Sequence, residues 1–133
     1  MGAQKQNSKA PKSIPQVDGY ARISYLYQAS TQFSLDEKYQ ILSRALARNM
    51  SLVAKKTVLR LSPHMKRTIC KNCNTVLNPG LSMSSRIENK SRRKAPHNDV
   101  LVYECNHCKA EKRFPIGKNR EHELYVDKHA VTR

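Results

Sequence analysis

Cys70-Lys71-Asn72-Cys73 and Cys105-Asn106-His107-Cys108 contain every cysteine of this 133-residue chain. Each spacing makes a knuckle turn that aims two thiolates at one point, and two such turns supply four ligands. Zn²⁺ takes four thiolates in a closed tetrahedral site that leaves no position for water or substrate. The spacing therefore predicts one structural zinc ion, held by Cys70, Cys73, Cys105 and Cys108, and a zinc ribbon around it. The 31 residues between Cys73 and Cys105 exceed the roughly 15–20 of the compact pattern. An insertion must leave the ribbon between its knuckles. His107 lies inside the second knuckle and reads as a bystander, because four thiolates already complete the set.

Two other cysteine chemistries fit less well. Disulfides need an oxidising compartment, and the start, Met1-Gly2-Ala3-Gln4-Lys5-Gln6-Asn7, has no apolar secretory core. A redox pair wants a single Cys-x-x-Cys at a strand-to-helix turn, not two matched pairs. No apolar run approaches the roughly 18 residues of a membrane span, so a soluble intracellular protein with no membrane partner is expected.

The elements that position the cysteines sit in a basic, weakly apolar chain. Hydrophobic content is 38%, with two Phe and no Trp, thin for a core that must stand without a metal or a partner. Twenty-five Lys+Arg oppose ten Asp+Glu, for a net charge of +15. From Lys55 to Lys94 eleven bases face one acid, Glu88. Such a block repels itself unless an anion lies against it, and nucleic acid is the counterpart that phosphate neutralisation favours.

The pattern divides the chain into four parts. Residues 1–17 read as a disordered basic arm, and residues 18–61 as a helical partner-binding segment. Residues 62–117 read as the ribbon, with a flexible basic loop at 81–99, and residues 118–133 as a charged tail. Ile23, Leu26, Tyr27 and Ser30 form the stripe of a first helix. Ser34 and Glu37 are spaced as a capping box for a second helix over 35–61, ended by Ser62-Pro63 and roughly 40 Å long. Its stripe takes in Leu42, Leu46 and Val53. The apolar positions either fold back on the ribbon or, through Tyr25, Leu26, Leu42, Leu46 and Val53, dock on another subunit. Met65–Ile69, Val100–Glu104 and Lys109–Ile116 are expected as ribbon strands, with a turn at Asn78-Pro79-Gly80. The fold class is α+β: a pair of helices followed by a small antiparallel zinc ribbon.

Catalysis finds no constellation here. The acids are scattered, no glycine-rich phosphate loop exists, and a zinc held by four thiolates cannot activate water. No active site is expected on this chain.

Arg22-Ile23-Ser24-Tyr25-Leu26-Tyr27-Gln28-Ala29-Ser30, Leu46-Ala47-Arg48-Asn49 and Lys66-Arg67-Thr68-Ile69-Cys70-Lys71-Asn72-Cys73 together resemble one family. So do Leu77-Asn78-Pro79-Gly80, Arg86, and Cys105-Asn106-His107-Cys108 followed by Lys112-Arg113-Phe114. It is the zinc-ribbon protein subunit of nuclear and archaeal ribonuclease P, whose fungal branch includes a paralogue in the related RNase MRP particle of rRNA processing. The resemblance covers about residues 20–117. It implies a subunit of a particle whose RNA is catalytic and which removes the 5′ leader of precursor tRNA. It further implies ribonuclease P RNA as partner, a β-barrel protein subunit on the helices, and a nuclear, including nucleolar, location. Contact with precursor tRNA and membership of the MRP particle stay open. Phosphate contacts implied by the resemblance are Lys66, Arg67, Lys71, Arg86, Lys112 and Arg113, which position RNA without reading sequence. Phe114 could stack on a base or belong to the core. A transcription-type zinc ribbon is one competing class, and it would not predict the helical segment with Tyr25-Leu26-Tyr27-Gln28 ahead of the ribbon. A ribosomal zinc protein is the other, which suits the charge but usually lacks a long partner-seeking helix.

Overall fold

In the computed structural model, residues 15–117 are described, and the tail at 118–133 and nearly all of the arm at 1–17 lie outside them. Helix α1 spans Val17–Phe33 and buries Ile23 and Ser30, two positions of the expected stripe. Helix α2 spans Gln40–Lys56, after a single 3₁₀ turn at Glu37–Tyr39. It buries Ser43, Ala47, Met50 and Ala54. Small residues at that edge let the two helices approach closely, and the Ser43 hydroxyl donates across the seam to the Ser30 carbonyl at 2.7 Å.

Both ends of α2 differ from expectation. Ser34 does not cap it: its hydroxyl donates back to the Thr31 carbonyl of α1 at 2.6 Å and accepts from Asn78 Nδ2 at 2.7 Å. The helix stops at Lys56, not at residue 61, because Val58 takes a left-handed φ of 55° and Leu59 N–H closes on the Ala54 carbonyl. Leu59 and Leu61 then turn inward against the core. Seventeen residues give a helix of about 25 Å, short enough for the ribbon to cover one face.

Met65 and its neighbours are helical, not extended. Helix α3 spans Pro63–Arg67, with Pro63 in its first turn and the Ser62 hydroxyl accepting from the Met65 amide. Ser-Pro serves here as a helix start. Ile69 makes only an isolated bridge to Val76 across the first knuckle.

The ribbon sheet has three antiparallel strands in sequence order: β1 Met83–Glu88, β2 Val100–Cys105 and β3 Glu111–Pro115. β1 lies inside the segment expected as a flexible loop, so that expectation holds for neither its first half nor the 3₁₀ turn at Pro96–Asn98. The expected turn at Asn78-Pro79-Gly80 is present: Gly80 has φ 83° and Leu81 N–H returns to the Asn78 carbonyl. Gly117 is required by close approach, since a Cβ there would lie 1.9 Å from the His97 carbonyl oxygen.

Two apolar clusters result. The first joins Ile23, Ala47, Met50 and Ala54 of the helices to Ile69 and Val76 around the first knuckle. The second surrounds the cysteines with Leu77 and Met83. Tyr27 and Thr68 hydroxyls bond at 2.9 Å and stitch α1 to the entry of the ribbon. Folding-back therefore accounts for Leu26 and Val53, which pack on the first cluster. No helix among the described residues is long and apolar enough to cross a membrane.

Candidate metal centre and basic face

The two knuckles are built alike. Cys70 N–H donates to the Thr75 carbonyl and Asn74 N–H to the Cys70 carbonyl; Cys105 with Ala110 and Lys109 repeats both bonds at the same offsets. Asn74 and Lys109, each following the second cysteine of its pair, share a left-handed φ of 58° and 57°. That turn points knuckle amides inward, Asn72 and Cys73 toward the Cys70 sulfur, His107 and Cys108 toward that of Cys105.

All four Sγ atoms lie within 4.8 Å of one another. Cys70 and Cys108 sulfurs are 3.5 Å apart, those of Cys73 and Cys105 3.6 Å. These are free cysteines, far beyond the ~2.05 Å of a disulfide. A tetrahedron with Zn–S bonds of about 2.3 Å spaces its sulfurs by about 3.8 Å, so the donor set fits a thiolate-loving divalent ion. The Thr75 hydroxyl sits 3.0 Å from Cys73 Sγ, placed to steady a ligating thiolate. Burial pushes the Cys70 thiol up and that of Cys105 to about 12. At Cys108 burial also opposes ionisation, but the Ala110 amide and the neighbouring thiols outweigh it, lowering the group to about 7. A bound cation takes all four as thiolates.

The six implied phosphate ligands separate into two kinds. Lys66 and Lys71 are exposed, and their side chains make no hydrogen bond or ion pair among the described residues. Arg67 is exposed with its guanidinium 5.4 Å from the centre of the Phe114 ring, and Phe114 meets Tyr103 edge-on at 5.2 Å. Phe114 is thus part of the ribbon's packing. Arg86, Lys112 and Arg113 are each engaged by partners within this chain, Arg86 and Arg113 at its surface. Lys112 Nζ donates to the Lys66 carbonyl at 2.7 Å and also to that of Ile69, and burial pulls its ammonium below the ordinary value. Arg86 donates to Glu88 at 2.7 Å, to Glu104 at 2.6 Å and to Glu111. Arg113 pairs with Glu111 at 2.7 Å and approaches Glu88.

That charge lattice covers one face of the sheet. Register puts Arg86, Val102 and Arg113 side by side across the strands. Val102 is wholly buried yet joins neither apolar cluster, as expected where arginine stems lie over an aliphatic side chain. The lattice was not legible beforehand, because its acids come from three separate strands.

On the helices, Tyr25 is 68% and Leu42 43% exposed, and Leu46 is half-buried. The sequence reading overlooked Arg44 and Arg48, one turn apart on α2. The available signal was a basic pair with no acid three or four residues away on either side. Arg44 reaches His107 Nε2 of the second knuckle, so His107 ties that knuckle to α2.

The protein-family description "RNAse P Rpr2/Rpp21/SNM1 subunit domain" matches residues 22–109. The chain belongs to this family. It is 44% identical over 97 residues to the ribonuclease P protein subunit rpr2 of Schizosaccharomyces pombe, covering 73% of this chain and 90% of that protein. It is 32% identical to the human ribonuclease P protein subunit p21, over 73% of this chain and 60% of the human one. The chain thus spans less than two thirds of the mammalian relatives it matches. A chain in a cryo-EM structure of archaeal ribonuclease P with mature tRNA shares the fold, with a TM-score of 0.66, 24% identity, and coverage of 81% of this chain and 84% of that one. The match to the family takes in both knuckles, α2, α3 and most of α1, so the α+β ribbon fold and the family agree.

Proposed function

We propose that this chain is a non-catalytic, zinc-dependent RNA-binding protein subunit of a ribonuclease P particle that processes the 5′ end of precursor tRNA in the nucleus. The observation that carries the reading is the placement of Lys66, Arg67 and Lys71, three exposed cations on the segment that enters the four-cysteine cluster. The zinc ion fixes the first knuckle and so the spacing of these charges. Rigidly spaced cations match the phosphates of a folded RNA, whereas the same charges on a loose tail attract any polyanion.

Arg86, Lys112 and Arg113 support this face from behind. They brace the sheet and α3, and contact RNA less than Lys66, Arg67 and Lys71. The helices supply the protein contact: Tyr25, Leu42 and Leu46 offer apolar surface on the outside of the hairpin, suited to a β-barrel subunit of the particle.

Purification of the tagged protein from cells, followed by sequencing of the bound RNA, tests the reading. Ribonuclease P RNA should dominate, with precursor tRNA cleavage in the same fraction. Recovery of RNase MRP RNA alone, or of no discrete RNA, would contradict it.

A further inference from the structure

A groove of about 780 Å³ runs between α2 and the first knuckle. Ile41, Arg48, Asn49 and Leu52 form its helix wall together with Arg44, and Asn72 and Asn74, with Cys73 between them, form the knuckle wall. We propose that this groove holds unpaired RNA nucleotides, with phosphates on the arginines, base faces against Ile41 and Leu52, and base edges on the asparagine carboxamides. The proposal rests on the RNA-binding reading above and gives it a second site, made of other residues.

Four observations converge on that ligand. No acid lines the groove, and Arg48 makes no hydrogen bond or ion pair among the described residues. The carboxamides of Asn49, Asn72 and Asn74 are likewise unengaged there. A carboxamide both donates and accepts, which suits a base edge; a surface meant for phosphate alone needs only donors. Ile41 is 73% and Leu52 52% exposed, so apolar side chains stand open beside the polar ones, as a platform for a base face. The size lies within the ~300–1,000 Å³ of clefts that take small ligands, room for a nucleotide and its neighbour.

Paired RNA meets this chemistry less well, because its base faces are stacked and its Watson–Crick edges are paired, leaving only minor-groove edges and 2′-hydroxyls on display. The carboxylates of an acidic protein segment would satisfy the arginines but, as acceptors only, would not pair with the carboxamide oxygens or offer a flat face to Ile41 and Leu52. At 3.6 residues per turn, Ile41, Arg48 and Leu52 fall together on the side of α2 away from the buried edge Ser43-Ala47-Met50-Ala54. They lie about a third of a turn from the Leu42, Leu46 and Val53 stripe assigned to protein, which Asn49 borders.

The test uses the zinc-loaded full chain, a short single-stranded oligoribonucleotide and a blunt RNA duplex, with binding read by fluorescence anisotropy. Arg48→Ala with Asn72→Ala should weaken single-strand binding about tenfold or more and leave duplex binding nearly unchanged. Both side chains are exposed, so zinc content and folding stay as in the parent. Arg67→Ala with Lys71→Ala should show the reverse preference. Unchanged single-strand binding in the groove variant overturns the proposal, as does an equal loss on the duplex. So does displacement of the single strand by a poly-glutamate peptide as effective as unlabelled RNA, which would make the groove a site for acidic protein. If the groove variant is silent while Arg67→Ala with Lys71→Ala still weakens the duplex, the RNA-binding reading survives without the groove. If the parent binds neither RNA, both fall.

Discussion

The ammonium of Lys112 on β3 donates to the main-chain carbonyl of Lys66, the penultimate residue of α3, at 2.7 Å. A positive charge at a helix C-terminus satisfies carbonyls that have no partner within the helix. Lys112 thus pins the segment carrying Lys66 and Arg67 to the sheet. Hydrogen bonds to charged groups contribute about 1.5–3 kcal/mol. Allowing for partial exposure, Lys112→Met should cost about 1–2 kcal/mol in denaturant unfolding and leave the salt slope of RNA binding in place. A slope as reduced as in Arg67→Ala would return Lys112 to the phosphate ligands.

Arg86 gives the sheet a pH dependence. Its hydrogen bond holds Glu88 below the ordinary carboxylate range, and Arg113 with Arg86 does the same for Glu111. A depressed folded pKa contributes stability that is present above the unfolded value, about 4.3. That contribution is lost as pH falls through the folded values. The stability advantage of the parent over Arg86→Met should be full near pH 6 and shrink below about pH 4. A constant difference across that window would mean the arginine acts by packing alone.

Metal should be a folding requirement. The ribbon core is little more than the cysteines, Leu77 and Met83, too small to offset chain entropy unaided. Metal analysis should find one Zn²⁺ per chain, and a chelator or Cys105→Ser should erase the amide dispersion of β1 to β3. Because burial keeps Cys70 and Cys105 protonated until metal binds, uptake should release protons and weaken as pH falls. Metal-free protein with an intact spectrum would end this view.

The outer flank of α2 should carry the protein contact. Leu42 is exposed enough that Leu42→Asp changes the stability of the free protein by only about 0.5 kcal/mol. Buried against a partner, the same charge has no counter-ion and should strip the protein from the particle. Leu52→Asp, roughly 80° around the helix from Leu42 and outside its stripe, is the control and should co-purify with the protein subunits. Full retention of Leu42→Asp would place the contact elsewhere.

The four-cysteine cluster was legible in the sequence because cysteine spacing encodes its own geometry. The helices were legible in kind but not in orientation. Where α1 and α2 approach closely, Ser30, Ser43, Ala47 and Ala54 form the seam; a search for large apolar residues selects the neighbouring flank with Leu42 and Leu46 instead. Ser62-Pro63 reads equally as a stop or a start, so α3 passed for a strand. β1 was hidden because the face it presents to the lattice carries Ser84, Arg86 and Glu88, which read as loop until Glu104 and Glu111 are brought beside them. The roles of Arg86 and Lys112 depend on residues 18 to 46 positions away, and no local pattern reports that.

The central claim is that a metal-fixed basic face binds folded RNA through phosphates. Its most direct test is the affinity of the zinc-loaded protein for ribonuclease P RNA over a range of salt concentrations. Arg67→Ala with Lys71→Ala should flatten the slope of log affinity against log salt by roughly 0.7–0.9 for each phosphate no longer neutralised, with zinc content unchanged. Removing Lys5, Lys9 and Lys12, which lie far from the knuckles in sequence, should matter much less. Equal losses from the two sets would contradict the account and reduce the binding to net charge.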